Sequence, residues 1–300
     1  MSELEIGLVG VGPWGKHVLR DLRSLEAHVH AVARSEASIA RARDGGAKSI
    51  VDDPSKLPVS CAGYVVANRT ISHLDAVESL LPRGAPIFVE KPLGVDLERI
   101  KRLPEAAQRL VFIMHKWRYH PGIRELAAIV ATKRYGAVKG LRTFRLGWGN
   151  PHPDVSSLWI LAPHDLSIAL HILGETPQLH AASADPLSGA DSVNAQLSTS
   201  SGIPVSFEVS SAHPIPLRRI VLACERAVCV LDGRDYAALT IQRFDATESE
   251  TLKVGDEMPL LTELRYFIGH LKGGPPPLTA LKDEIAIVTV LREIENAVSA

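Results

Sequence analysis

Three hundred residues, 46% of them apolar, are enough for about two packed domains of roughly 100 to 200 residues each. The 33 basic and 34 acidic residues leave a formal charge of −1 and are interspersed along the chain. That excludes an electrostatic grip on nucleic acid or an anionic membrane and points to small-molecule partners. No apolar run is long enough to span a bilayer and no secretory leader precedes the first apolar strand, so cytoplasmic residence is the expectation. Cys61, Cys224 and Cys229 are odd in number, lack zinc-ligand spacing and suit buried thiols in a reducing compartment.

The first apolar run, Ile6-Gly7-Leu8-Val9, leads at once into Gly10-Val11-Gly12-Pro13-Trp14-Gly15 and then into a helical pattern from Lys16 to Leu25. A strand, a G-x-G-x-x-G turn and a helix in that order make the phosphate cradle of a dinucleotide-binding fold. Gly10 serves the tight turn, Gly12 lets backbone approach the pyrophosphate, and Gly15 allows helix to pack on strand. The helix N-terminus offers free N–H groups and partial positive charge to the phosphates.

A second strand is predicted over 28–33 and a helix over 35–43, closed by Gly45-Gly46. The tip of that strand is Arg34-Ser35, where an NAD site usually has Asp or Glu for the adenosine ribose and an Arg accommodates the 2′-phosphate of NADP. NADP is therefore the preferred expectation; the alternative is NAD held by other contacts. Strands over 48–51, 64–67 and 87–90 alternate with helical stretches such as 72–81, and this alternation implies a parallel sheet. Ligands bind outside the carboxyl ends of such strands, which singles out Asn68-Arg69-Thr70 and Glu90-Lys91-Pro92.

A last strand over 110–115 precedes Lys116-Trp117-Arg118-Tyr119-His120-Pro121, and Pro121 suits the first turn of a helix with Ile123, Leu126, Ala127 and Val130 on one face. The domain boundary is expected near residue 120, giving a dinucleotide-binding domain over 1–120 and a substrate-binding or oligomerisation domain over 121–300. In the second part Val193, Ala195 and Leu197, then Val205, Phe207 and Val209, alternate with polar residues about a turn at Thr199 to Gly202. Further strands are predicted over 219–223, 227–231 and 239–242, which reads as an antiparallel sheet needing cover on one face. Two amphipathic helices close the chain, one carrying Leu260, Leu264, Phe267 and Leu271, the other Leu281, Ile285 and Val288. The Gly273-Gly274-Pro275-Pro276-Pro277 run between them reads as a stiff connector.

The glycine turn, Phe88-Val89-Glu90-Lys91-Pro92-Leu93, Arg118-Tyr119-His120-Pro121 and Leu158-Trp159-Ile160-Leu161-Ala162-Pro163-His164-Asp165-Leu166 together resemble the glucose-fructose oxidoreductase, inositol dehydrogenase and MocA (Gfo/Idh/MocA) family. The resemblance implies an α/β Rossmann dinucleotide-binding domain followed by an α+β domain with a large, mostly antiparallel open sheet. It also implies NAD(P)-dependent chemistry on sugars, cyclitols or nucleotide sugars, in a homo-oligomer such as a dimer or tetramer. Lys91 matches the family's catalytic lysine, an ammonium able to hold the reacting oxygen and relay a proton, with burial lowering its pKa; the Lys91-Pro92 peptide is expected to be cis. His164 matches the second proton-handling residue, and Asp165 is expected to orient its ring or to cap the following turn. The expected cofactor contacts are Gly10, Gly12, Pro13, Trp14, Gly15, Arg34, Ser35, Asn68, Arg69, Glu90 and Lys91. No metal is expected, because the spacing of His152, His164 and His171 matches no familiar ligand motif.

One position departs from the family pattern. Many relatives carry an Asp one helical turn before the histidine, where this chain has Ile160. Either Asp154, Asp165, Tyr119 or His120 stands in for it, or the reaction differs from polyol oxidation. Ile160 is also the main support for a catalytically impaired NADP(H)-binding sensor or assembly subunit of the same fold. A further alternative is a family member that uses the cofactor transiently for elimination or hydrolysis.

Overall fold

Ile6 to Val9, Val29 to Val32, Gly63 to Val66 and Ile87 to Glu90 are buried at every position, a condition that a sheet meets only with helices on both of its faces. The computed structural model describes residues 4–150, 154–185, 188–233, 236–255 and 257–299. Its contacts divide into two units, Met1–Lys116 with Met258–Ile285, and Trp117–Glu257 with Ala286–Ala300.

The first unit runs β1 (Glu5–Val9), α1 (Gly15–Ser24), β2 (His28–Val32), α2 (Glu36–Asp44), β3 (Ser49–Val51), β4 (Gly63–Val66), α3 (His73–Leu80), β5 (Ile87–Glu90), α4 (Leu97–Lys101), α5 (Ala107–Leu110) and β6 (Val111–Met114). All strand pairs are parallel, in the order β3-β2-β1-β4-β5-β6. The order reverses between β1 and β4, and the carboxyl ends at that reversal are where such sheets bind ligands. The Rossmann expectation is met, with strand bounds within a residue or two of those predicted.

The second unit holds α6 (Pro121–Ala131), β7 (Val138–Trp148), α7 (Ser157–Leu173), β8 (Gln178–Asp185), β9 (Gly189–Ser198), β10 (Pro204–Ser210), β11 (Ala212–Cys224), β12 (Ala227–Asp232), β13 (Ala238–Arg243) and β14 (Glu250–Lys253). Its eight strands follow the order β14-β13-β12-β11-β7-β10-β9-β8, antiparallel throughout except for the parallel pair β7 and β10. Val193, Ala195, Leu197, Val205, Phe207 and Val209 are buried, as their alternation requires, and α7 packs against β7, β9 and β10.

Three features differ from the sequence expectation. Helix α8 (Pro259–Leu271) was expected in the second domain, but it packs within the first unit: Leu260, Leu264, Phe267 and Ile268 share a core with Val18, Leu19, Leu22, Phe88 and Phe112. The Phe267 ring stacks on Phe88 at 5.1 Å. Its apolar stripe was legible, but the surface that covers the stripe lies far away in sequence. Helix α9 (Leu281–Ser299) begins in the first unit and continues in the second. Strands β7, β8 and β14 were not anticipated, although β7 is central to the second sheet. The three cysteines are free and buried; burial pushes the Cys61 thiol up to about 11 and that of Cys229 up to about 12. Among the described residues no helix is long and apolar enough to cross a membrane.

Truncating Phe267 to Ala removes a fully buried ring from the first core and is expected to cost that unit about 3–5 kcal/mol, measurable by urea unfolding.

Candidate active site

Strand β1 ends at Val9 and its chain must turn at once to start α1. Gly10 does so with φ of +96°, and a Cβ there would come within 2.6 Å of the Asn68 backbone. At Gly15 a Cβ would lie 2.1 Å from the Gly10 carbonyl oxygen, whereas Gly12 has nothing within 4 Å. The turn is therefore closed where it packs and open where a ligand backbone would approach. No side chain caps α1 at Trp14, and its first turn carries no acidic residue. Lys16 and His17 donate their N–H groups to the Gly12 and Trp14 carbonyls at 3.1 Å and 2.9 Å, so it is the open approach at Gly12, at the foot of α1, that fits a pyrophosphate. Pro13 is exposed beside it.

The same sheet edge gathers the other expected positions. The Trp14 indole N–H donates to the Glu90 carboxylate, whose second oxygen accepts the Lys91 N–H at 3.2 Å. The Lys91-Pro92 peptide is cis. Asn68 donates to the Ser72 carbonyl at 3.1 Å, and Arg69 is exposed next to it. Gly10, Trp14, Asn68, Glu90 and Lys91 thus lie around the carboxyl ends of β1, β4 and β5.

At the tip of β2 the exposed Arg34 donates to the Asp52 carbonyl at 2.7 Å and to the Asp53 carboxylate at 3.3 Å. Ser35 caps α2 by accepting from the Ser38 N–H. Its hydroxyl is thus already engaged within the helix start, and the Arg34 charge is shared with Asp53. Arg41 was not singled out from the sequence, yet its guanidinium reaches the Val11 carbonyl of the glycine turn at 3.5 Å.

A second residue missed by pattern reading is Glu263 on α8, which sits inside an apolar helical stripe. It is wholly buried and neither carboxyl oxygen has a hydrogen-bond partner. Burial, then the nearby Glu90 charge, holds its pKa well above the ordinary carboxylate range, with Lys116 opposing. The Lys116 ammonium stands 4.5 Å from the centre of the Trp14 ring, so an aromatic face, two carboxyls and a cation cluster behind the turn.

In the second unit α7 carries Ile160, His164, Asp165 and His171 and runs through Pro163. Ile160 is buried. Asp165 does not reach back to the histidine beside it: its carboxylate accepts from Arg145 on β7 at 2.7 Å and 3.4 Å, with both side chains at most 2% exposed. The Tyr236 hydroxyl lies 3.5 Å from the same guanidinium. The Trp117 ring links the group, with Arg145 5.6 Å from its centre and His164 edge-on at 6.4 Å. His120 uses Nδ1 to accept the Gly122 N–H and cap α6, and Tyr119 is buried. Asp154 is half-buried, whereas His152 lies outside the described residues. Among those described, no group of three or more His, Cys, Asp or Glu could hold a metal. Lys91 belongs to the first unit and His164 to the second.

Arg145→Met leaves Asp165 buried without its cation and is expected to cost the second unit about 3–5 kcal/mol by chemical denaturation. His171 offers a pH test, since burial and then Arg118 and Arg124 push its pKa from 6.5 down to about 4. Between those values the unfolded chain binds a proton that the folded chain does not, so this stability is whole above about 6.5 and is lost as the pH falls towards 4. His171→Gln should flatten the fall in Tm over that acid window.

Residues 4–115 match the model of an oxidoreductase family with an NAD-binding Rossmann fold. The chain is 30% identical to inositol 2-dehydrogenase of Paracoccus denitrificans over 139 residues, covering 43% of this chain and 41% of that protein. It is likewise 30% identical to the rhizopine catabolism protein MocA of Rhizobium meliloti, over 36% of this chain and 35% of the relative. These matches span less than half the length of the relatives. A solved structure, UDP-N-acetylglucosamine 3-dehydrogenase from Acidithiobacillus ferrooxidans, shares the fold with a TM-score of 0.86 at 20% identity, over 99% of this chain and 98% of its own. The glycine turn and the Glu90-Lys91-Pro92 strand end both lie in the segment that matches this family, so residues 4–115 form a Rossmann domain of Gfo/Idh/MocA oxidoreductase type, while the chain as a whole shares its fold with the solved nucleotide-sugar dehydrogenase.

Proposed function

We propose that the protein is an NAD(P)-dependent oxidoreductase that moves a hydride between the nicotinamide and a carbinol or carbonyl carbon of a sugar, cyclitol or nucleotide sugar. The observation that carries this reading is the bond from Trp14 to Glu90. It joins the phosphate-binding turn to the strand end that presents Lys91. The relatives named as inositol and nucleotide-sugar dehydrogenases support the substrate class.

The dinucleotide, when bound, supplies the hydride acceptor or donor at C4 of its nicotinamide. Gly10, Gly12, Gly15 and the start of α1 would hold the pyrophosphate, and Pro13, Trp14, Asn68, Arg69 and Glu90 would complete the contacts. Either the Lys91 ammonium, which would hold the reacting oxygen, or the His164 imidazole would take up the one proton released as the hydride leaves. Asp165 acts through structure, because Arg145 occupies its carboxylate. NADP is the preferred cofactor: Arg34 stands exposed at the tip of β2 with Ser35 beside it, and a 2′-phosphate would exchange with Asp53 for the guanidinium. The chain forms a homo-oligomer through the sheet face carrying Val221, Ala223, Val228 and Val230, which pair across β11 and β12.

Ile160 favours a second reading, a sensor or assembly subunit that binds the dinucleotide without turnover. The two readings separate in one experiment, in which sugars, cyclitols and nucleotide sugars are assayed by reduced-nicotinamide absorbance with both cofactors. Turnover that Lys91→Ala lowers about 10²- to 10⁴-fold supports the enzyme and removes the sensor. Absence of calorimetric binding by either dinucleotide overturns both.

A further inference from the structure

Once β5 ends at Glu90, the backbone of residues 91–94 leaves the ladder, yet Pro92, Leu93 and Gly94 are buried. Buried N–H and C=O groups outside a ladder need side-chain partners, and two distant residues provide them. The Pro92 carbonyl oxygen accepts from His73 Nδ1 at 2.8 Å, and His73 Nε2 lies 3.2 Å from the Asn68 carbonyl. A neutral imidazole has a single N–H, and the shorter contact assigns it to Nδ1. The Leu93 N–H donates to Glu284 Oε1 at 2.8 Å, while Glu284 Oε2 meets His115 Nε2 at 2.8 Å. His73, Glu284 and His115 are each at most 2% exposed, and all belong to the first unit.

We propose that Glu284 and His73 are positioning residues that fix the backbone on which Lys91 stands, from the α9 side and the α3 side respectively. The Glu90 carboxylate, which accepts the Lys91 N–H, supplies the third hold. A lysine has a long flexible stem, so only its backbone anchor can be set by the fold. An error of about 1 Å in a reacting group's position costs on the order of 10²-fold in rate. Burial keeps the His73 ring neutral by pushing its pKa down, which maintains the Nδ1 hold at ordinary pH. The two clasps also connect loops: His73 spans the ends of β4 and β5, and Glu284 spans the ends of β5 and β6. The inference rests on Lys91 acting in the reaction proposed above, but the geometry it describes can be read without turnover.

The test compares Glu284→Ala with Glu284→Gln, and His73→Leu with His73→Asn, at a temperature where each is folded. Gln can still accept the Leu93 N–H, and Asn can still donate to the Pro92 carbonyl. For the Ala and Leu variants kcat is expected to fall about 10- to 100-fold while KM and cofactor Kd hold, with recovery in the Gln and Asn variants. In the same samples hydrogen exchange at the Leu93 amide and acylation of Lys91, scored by mass spectrometry against the other lysines, should change in the Ala and Leu variants alone. Should Glu284→Ala not fold, the His73 pair makes the same comparison. If the wild-type chain turns over no substrate, the functional reading falls, and exchange and acylation still decide the positioning. Wild-type kcat, exchange and acylation in the folded Ala and Leu variants would overturn the proposal, as would a lower Tm with none of the three altered.

Discussion

The hydrogen bond from the Trp14 indole to the Glu90 carboxylate is the contact on which the site depends. Residue 14 belongs to the turn after the first strand and residue 90 to the end of the fifth, and a parallel sheet brings those ends to one edge. A carboxylate at such a place faces desolvation, and its partners limit that cost. The indole N–H and the Lys91 N–H bind its two oxygens. The Lys116 ammonium supports the group across the Trp14 face. Glu263 meets burial differently: it has no hydrogen-bond donors, and desolvation, then the Glu90 charge, raises its pKa well above the ordinary carboxylate range.

The second unit is built on a different electrostatic choice. Arg145 occupies a buried position of β7 on the same strand face as buried Leu141 and Thr143, where an unpaired guanidinium would lose several kcal/mol of hydration. Asp165 from α7 returns part of that, and Tyr236 and Trp117 close around the pair. The pair also sets the register of α7 on the sheet, because a bidentate contact tolerates little sliding. His164, adjacent to Asp165 on α7, stands edge-on to the Trp117 ring at 6.4 Å. The apolar Ile160 fits this arrangement: the acid of α7 has been committed to the sheet.

Both the legible and the illegible parts of the molecule follow from the range over which their causes act. Strands β1 to β6 could be read because fully buried parallel strands are continuous apolar runs, and the glycine turn because its backbone demands are local. β9 and β10 were legible from strict alternation. β7 was not, since Lys139, Arg142 and Arg145 interrupt the pattern, and the reason a charge can face the core is a residue on another element. β8 and β14 are exposed at most positions, so no hydrophobic period marks them. His73, Glu284 and Glu263 lack any local signature, because the groups they serve are remote in sequence or, for Glu263, are carboxyls brought near only by packing.

The sequence by itself determined the dinucleotide-binding half, the type of the second sheet, and the candidates Lys91 and His164, all of which rest on short-range periodicity and motif chemistry. Only the tertiary structure decided that α8 belongs with the first sheet, that Asp165 answers to Arg145, that Arg34 already shares its charge with Asp53, and that the Lys91 segment is held by His73 and Glu284. Those outcomes depend on which buried polar group meets which partner. That matching is made by the fold as a whole, since desolvation penalises every wrong pairing and no local stretch of chain contains both halves of the right one.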